Sequence, residues 1–178
     1  LGDIENPLPK PKKEIEPVSA VEFMANRLRQ SREPITLVPV GPMTNVATLI
    51  MTHPELTPKI KEIVMMGGST LKGNASPVSE ANIMACLDAT WNGYIGFDEL
   101  EEYKVNGNSI SKVLCDMCGI YAEHYRERMK NPGLAMHDSM TLAWILKPEL
   151  VKCKDYYVTV DIDGRYTYGM TVTDVNNT

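Results

Sequence analysis

Apolar positions in this chain recur with two periods, and the switches between them divide it into elements. Residues 1–17 are rich in proline and lysine and show no apolar period, which predicts an extended lead-in. Val21, Met24, Ala25 and Leu28 then fall at helical spacing behind Ser19 and Glu22, a capping-box pair, so a helix is expected to end near Ser31. "ITLVPV" (35–40) is a continuous apolar run with β-branched residues, the mark of a buried strand, and Gly41-Pro42 breaks it. "MTNVATLIMTH" (43–53) resumes the helical period, with Pro42 suited to its first turn. "IKEIVMMGG" (60–68) reads as a second buried strand closed by a glycine pair, and "GYIGF" (93–97) as a short third. A helical stretch starts at Asp98. A long amphipathic helix follows from about Ser109 to Met129, with Ile110, Val113, Leu114, Met117, Ile120 and Tyr121 on one face. Another begins at Asp138 and runs through "SMTLAWIL" to Pro148. Finally, "YYVTVDI" and "RYTYGMTV" flank Asp163-Gly164, a strong hairpin-turn signal.

This alternation predicts an α/β fold: an open, mainly parallel, Rossmann-like sheet flanked by helices, with an antiparallel hairpin appended. Such sheets bind ligands outside the carboxyl ends of their strands. Two of those ends are Val40-Gly41 and Met66-Gly67-Gly68, and from the second leaves the polar stretch "STLKGNASPVSEAN".

Composition narrows the function classes. The 178 residues are 43% hydrophobic and 23% charged, ordinary for a soluble globular protein, and suffice for one domain with its own core. A net charge of -5 argues against nucleic-acid or anionic-membrane partners. No apolar run is long enough to span a bilayer, and no signal-peptide pattern opens the chain. Cys86, Cys115, Cys118 and Cys153 read as reduced thiols of a cytoplasmic protein; Cys115 and Cys118 spell C-x-x-C inside a helical pattern, not at the strand-to-helix turn of a redox pair. The chain starts at Leu1 without methionine and ends just after a strand, so it reads as a piece of a longer protein.

Two groups could carry chemistry. Asn74, Glu80 and Asn82 offer paired donors and acceptors suited to neutral sugar hydroxyls, although taken alone they are better explained by a solvated loop. His137-Asp138 stands at a helix start, where Asp138 is either a plain N-cap or a metal ligand and His137 either incidental or an acid. His53 and His124 read as surface positions. Gly67-Gly68 lacks the spacing of a phosphate loop or a dinucleotide fingerprint, and Asp161-Ile-Asp163-Gly164 lacks the later ligands of a calcium loop.

Several segments in fixed order, "LVPVGPMTNVATLI", "PKIKEIVMMGGS", "GNASPVSEAN" and "GLAMHDSMTLAWIL", resemble the inosine-uridine preferring nucleoside hydrolases. "NPLPKPKKEIEPVSAVEFMANRL", "YAEHYRER" and "YGMTVTD" are similar to the same family, so the resemblance covers most of the chain as one domain, residues 1–178. It implies calcium-assisted hydrolysis of the N-glycosidic bond of ribonucleosides to free base and ribose. For this chain it implies that the Val40 carbonyl and Asp138 bind calcium and that Met66 packs against the ribose. Asn74 and Glu80 would then hold its 5′ side, Asn82 its ring hydroxyls, and His137 would help protonate the leaving base. It also implies a homo-oligomer, dimer or tetramer. The chemistry is coherent, because oxocarbenium character at the sugar is stabilised by surrounding anions and dipoles, and an acid lets the base leave neutral.

Departures from the family accompany this. The family's D-x-D-P-G-x-D-D motif, source of most calcium ligands, is absent from these residues. Ala81 replaces an aromatic and Ser139 a frequent proline. A family segment is missing near residues 90–91. The alternative expectation is a non-catalytic ribose- or nucleoside-binding remnant without the metal cluster.

Overall fold

The computed structural model describes residues 10–69 and 85–176, and its first helix falls where the apolar spacing places it. α1 (Ala20–Gln30) starts at Ser19, whose hydroxyl accepts the Glu22 amide at 3.2 Å. The other half of the capping box is not made: the Glu22 carboxylate instead accepts from Arg29 at 3.3 Å. β1 (Ile35–Leu37) is followed by α2 (Thr44–Thr52), a 3-10 helix (Pro54–Lys59) and β2 (Ile60–Ile63). Ala25 and Leu28 of α1, Leu49 of α2 and Leu56 form a buried cluster, and Val21, Met24, Ile35, Leu37 and Ile60 pack on it. The helical stripe and the strand residues thus bury one another's apolar surface.

β1 and β2 pair in parallel, with Thr36 opposite Glu62 and its hydroxyl donating to that carboxylate at 3.0 Å. Backbone bonding continues beyond the regular ladder: Val64 donates to the Leu37 carbonyl at 2.9 Å and Met66 to that of Pro39 at 3.2 Å. One further parallel bridge joins Met66 to Ala85, just before α3 (Leu87–Thr90).

The chain divides into two compact units, one of Ile15–Thr90 with His137–Thr178 and one built on Trp91–Met136. In the latter, β3 (Tyr94–Gly96) leads directly into α4 (Phe97–Asn106) and α5 (Ser109–His124). The Asn108 side chain caps α5, accepting the Ile110 and Ser111 amides at 2.9 Å each. The face of α5 turned toward α4 carries Cys115, whose thiol lies 3.4 Å from the Leu100 carbonyl, and Asp116, paired with Lys104 at 3.3 Å. Cys115 and Ala122 are buried, whereas Ile110, Leu114 and Tyr121 of the expected apolar face are exposed. Small residues decide the contact because they let two helices approach closely. A π-helical turn (Tyr125–Met129) then replaces the expected last turn of α5, and Arg126 stacks over Phe97 with 4.5 Å to the ring centre. β4 (Gly133–Ala135) pairs antiparallel with β3; three residues are too few to show a period, so the sequence pattern does not announce this strand.

Back in the first unit, α6 (Ser139–Leu146) stops before Pro148 as expected, and β5 (Val158–Val160) and β6 (Thr171–Thr173) form the antiparallel pair. The turn between them is not a two-residue Asp163-Gly164 turn. The Asp161 carboxylate gathers it, accepting the amides of Asp163 at 3.0 Å and Gly164 at 2.8 Å and the Thr167 hydroxyl. A carboxylate that satisfies the turn's own amides lets the connection run longer than cross-strand bonding would.

The class is α/β, as the alternation of elements predicts. The pairing differs in detail: among the described residues the strands form three two-stranded ladders, one parallel and two antiparallel, not one continuous sheet. No described helix is long and apolar enough to cross a membrane. His53 is better connected than its surface reading implied, with Arg29 at 3.2 Å, Glu55 at 3.5 Å and Glu22 at 3.9 Å. All four cysteines are free thiols.

Candidate active site

The end of β2 is organised by its glycines. Gly67 and Gly68 are buried and have φ of 143° and 70°, values that a Cβ makes costly. The reversal lets the backbone meet the returning chain: Gly67 donates to the Ala85 carbonyl at 3.3 Å, and Leu87 donates to that of Gly68 at 3.0 Å. The Ser69 hydroxyl donates to Asp88 at 3.3 Å. α3 is therefore tied by its first turn to the glycine pair.

From there the connection reaches the second candidate group. Thr90, the last residue of α3, is completely buried, and its Oγ1 lies 2.7 Å from His137 Nδ1. An unbroken series of hydrogen bonds thus runs from Pro39 through Met66, the glycine turn and α3 to His137.

Asp138 occupies the N-cap position of α6 with helical backbone angles (φ −66°, ψ −36°), and its side chain makes no capping bond. A helical ψ turns the side chain away from the amides that a cap must reach. The cap reading of Asp138 is accordingly not the one the geometry realises. Its carbonyl carries the local structure instead, accepting from the Thr141 amide at 3.2 Å and the Thr141 hydroxyl at 2.6 Å, while the carboxylate is exposed.

Val40 is 50% exposed and follows Pro39, whose carbonyl accepts from Met66. Val40 and Met66 therefore stand at the carboxyl ends of two paired parallel strands, where open α/β sheets present their ligand sites. Asn74, Glu80 and Asn82 lie outside the described residues.

A cavity of about 470 Å³ is lined by, among others, Met65, Cys86, Ala89, Met140, Trp144 and Val158. None of Val40, Met66, His137 and Asp138 lines it. Thr90 is the residue that reading the sequence missed; a threonine on a four-residue helix has no periodic signal, and only the contact with His137 reveals it.

With this geometry in hand, the comparisons with known proteins are unambiguous about kinship. The chain belongs to the family described as inosine-uridine preferring nucleoside hydrolase, which it matches over residues 1–90 and again over residues 83–178. It is 39% identical over 186 aligned residues to the pyrimidine-specific ribonucleoside hydrolase RihA of Citrobacter koseri, an alignment covering 94% of this chain and 60% of that protein. Among solved structures it resembles a purine-preferring ribonucleoside hydrolase from Gardnerella vaginalis, with 27% identity, a TM-score of 0.81, and coverage of 96% of this chain and 60% of that one. The plant nucleoside hydrolase PpNRh1 shares the fold, with a TM-score of 0.83 at 23% identity over 94% of this chain and 58% of that one. The chain thus spans about 60% of the length of the curated relatives it matches.

Proposed function

We propose that this chain forms part of a ribonucleoside hydrolase that cleaves the N-glycosidic bond to free base and ribose. The observation that carries the reading is 39% identity to pyrimidine-specific ribonucleoside hydrolases across 94% of the chain. Pyrimidine ribonucleosides are therefore the first substrates to test. In this reading Met66, with Asn74, Glu80 and Asn82, cradles the ribose, and His137 protonates the departing base. Val40 and Met66 at adjacent strand ends, and an Asp138 carboxylate not spent on a cap, agree with these roles.

Calcium is proposed as the cofactor. The Val40 carbonyl and the Asp138 carboxylate are the hard oxygen donors it takes, and it would grip a sugar diol and acidify a water. In number they fall short: calcium takes roughly six to eight oxygens, and no group of three or more His, Cys, Asp or Glu suited to a metal occurs among the described residues. Two donors are fewer than such an ion requires, and the remaining ligands would have to come from other residues. A cytoplasmic homo-oligomer completes the proposal.

The proposal also includes an omission within the chain relative to its relatives. The alignment spans 186 positions, more than the 178 residues present, and the two family matches overlap at residues 83–90, close to where the sequence departs from the family.

The test is release of base from uridine and inosine, with and without calcium. With two donors where calcium takes roughly six to eight oxygens, this 178-residue polypeptide by itself is expected to show no appreciable turnover. Calcium-dependent hydrolysis by the purified polypeptide would overturn that expectation. Nucleoside binding without turnover, in a protein carrying the D-x-D-P-G-x-D-D motif as well, would favour the binding remnant over the enzyme.

A further inference from the structure

We infer that Thr90 is a positioning residue for His137: its hydroxyl accepts a hydrogen bond from Nδ1–H and so fixes both the tautomer and the orientation of the ring. Oγ1 and Nδ1 are 2.7 Å apart, and Thr90 is completely buried. The same Oγ1 lies 3.4 Å from the Leu87 carbonyl oxygen. A threonine hydroxyl has one hydrogen and two lone pairs, whereas a carbonyl can only accept. The single hydrogen therefore points to Leu87, and at the shorter contact the imidazole is the donor. Which ring nitrogen carries the proton is set by the bond its other nitrogen makes. Here that bond assigns the proton to Nδ1, so Nε2 of the neutral ring carries the lone pair and gives a proton to a leaving base only after taking one up itself.

The anchor is stiff for two reasons. Threonine is β-branched and has few χ1 choices. Its helix is also pinned at the other end by the Leu87–Gly68 bond, 3.0 Å long, so the ring takes its position from the strand end that carries Met66. The positioning role rests on the reading of His137 as the group that protonates the leaving base; the tautomer does not.

The test is ¹⁵N NMR of the His137 ring in the folded polypeptide, at one pH where the ring is neutral, for the wild type, Thr90→Val and Thr90→Ser. Valine keeps the shape and removes the oxygen; serine restores it. The expected result is an Nδ1–H ring in the wild type, a loss of that preference in Thr90→Val, and recovery in Thr90→Ser. An Nε2–H ring in the wild type overturns the inference even if the valine variant fails to fold, as does an unchanged ring in a folded valine variant. His137→Gln, assayed for kcat in a nucleoside-hydrolysing form of the protein, tests the underlying reading separately. An unchanged kcat there removes the acid and, with it, what Thr90 would be positioning, while the ring spectra still decide the tautomer.

Discussion

Replacing Leu28 by alanine puts the packing argument at its most exposed. Leu28 is 1% exposed, among Ala25, Leu49 and Leu56 with Ile35, Leu37 and Ile60 of the parallel pair close by. The change removes three carbons, worth about 2.4 kcal/mol at roughly 0.8 kcal/mol each. Ala25 is too small to fill the space left, so a cavity term adds to this, and the total is expected at about 3–4 kcal/mol, within the range of roughly 2–5 known for buried leucines. That is a large share of the roughly 5–15 kcal/mol that stabilises a typical domain. Urea denaturation reads it directly: the midpoint should fall by about 1–4 M with the slope unchanged. Leu146→Ala is the control; at 77% exposure it should move stability by no more than about 0.5 kcal/mol. If the two substitutions cost the same, the assignment of the core is wrong. If Leu28→Ala is costly as expected, exchange of the Met66 amide with solvent should also quicken, because the strands that position it lean on this cluster.

Two further outcomes concern single groups. The Thr167 hydroxyl, and then the amides of Asp163 and Gly164, hold the Asp161 carboxyl below its ordinary value. A carboxylate whose folded pKa is depressed stabilises the fold above its unfolded pKa, and this is lost as pH falls through the folded value. Hydrogen exchange should therefore show the Asp163 and Gly164 amides still protected at pH values where an ordinary aspartate is half protonated, about 3.9. Loss of protection at or above that pH, or equal protection in Asp161→Ala, would contradict the clamp. Burial, followed by the neighbouring Asp116 charge, raises the Cys115 thiol, so it stays protonated and unreactive. Alkylation followed by mass spectrometry should label the exposed Cys153 first and Cys115 last; the reverse order would mean that α5 opens readily from α4.

What the sequence discloses follows from how locally each feature is determined. α1 and α6 are legible because a cap, a period and a proline lie within their own segments. β1 and β2 are legible as continuous β-branched runs, and their parallel pairing follows from the helix between them. The buried face of α5 is not, since Ile110, Leu114 and Tyr121 outweigh Cys115 and Ala122 on any hydrophobicity count while contact with α4 favours the smaller side chains. β4 is set by its partner β3 rather than by its own three residues. Of the candidate site, Val40, Met66, His137 and Asp138 could be put forward in advance as expectations of the family resemblance. The failure of Asp138 to cap its helix and the grip of Thr90 on His137 could not, since one depends on a backbone angle and the other joins positions 47 residues apart.

The bridge between Met66 and Ala85 has an evolutionary reading. It holds Met66 and Ala85 side by side although 18 positions separate them in the sequence, so the scaffold registers chiefly whether those two residues meet. Closing a loop costs free energy that grows only with the logarithm of its length, about 0.6 kcal/mol for each doubling. Residues inserted or deleted between these two positions should therefore leave the frame nearly indifferent. The strands on either side can thus keep their places while the sequence between these two positions varies in length.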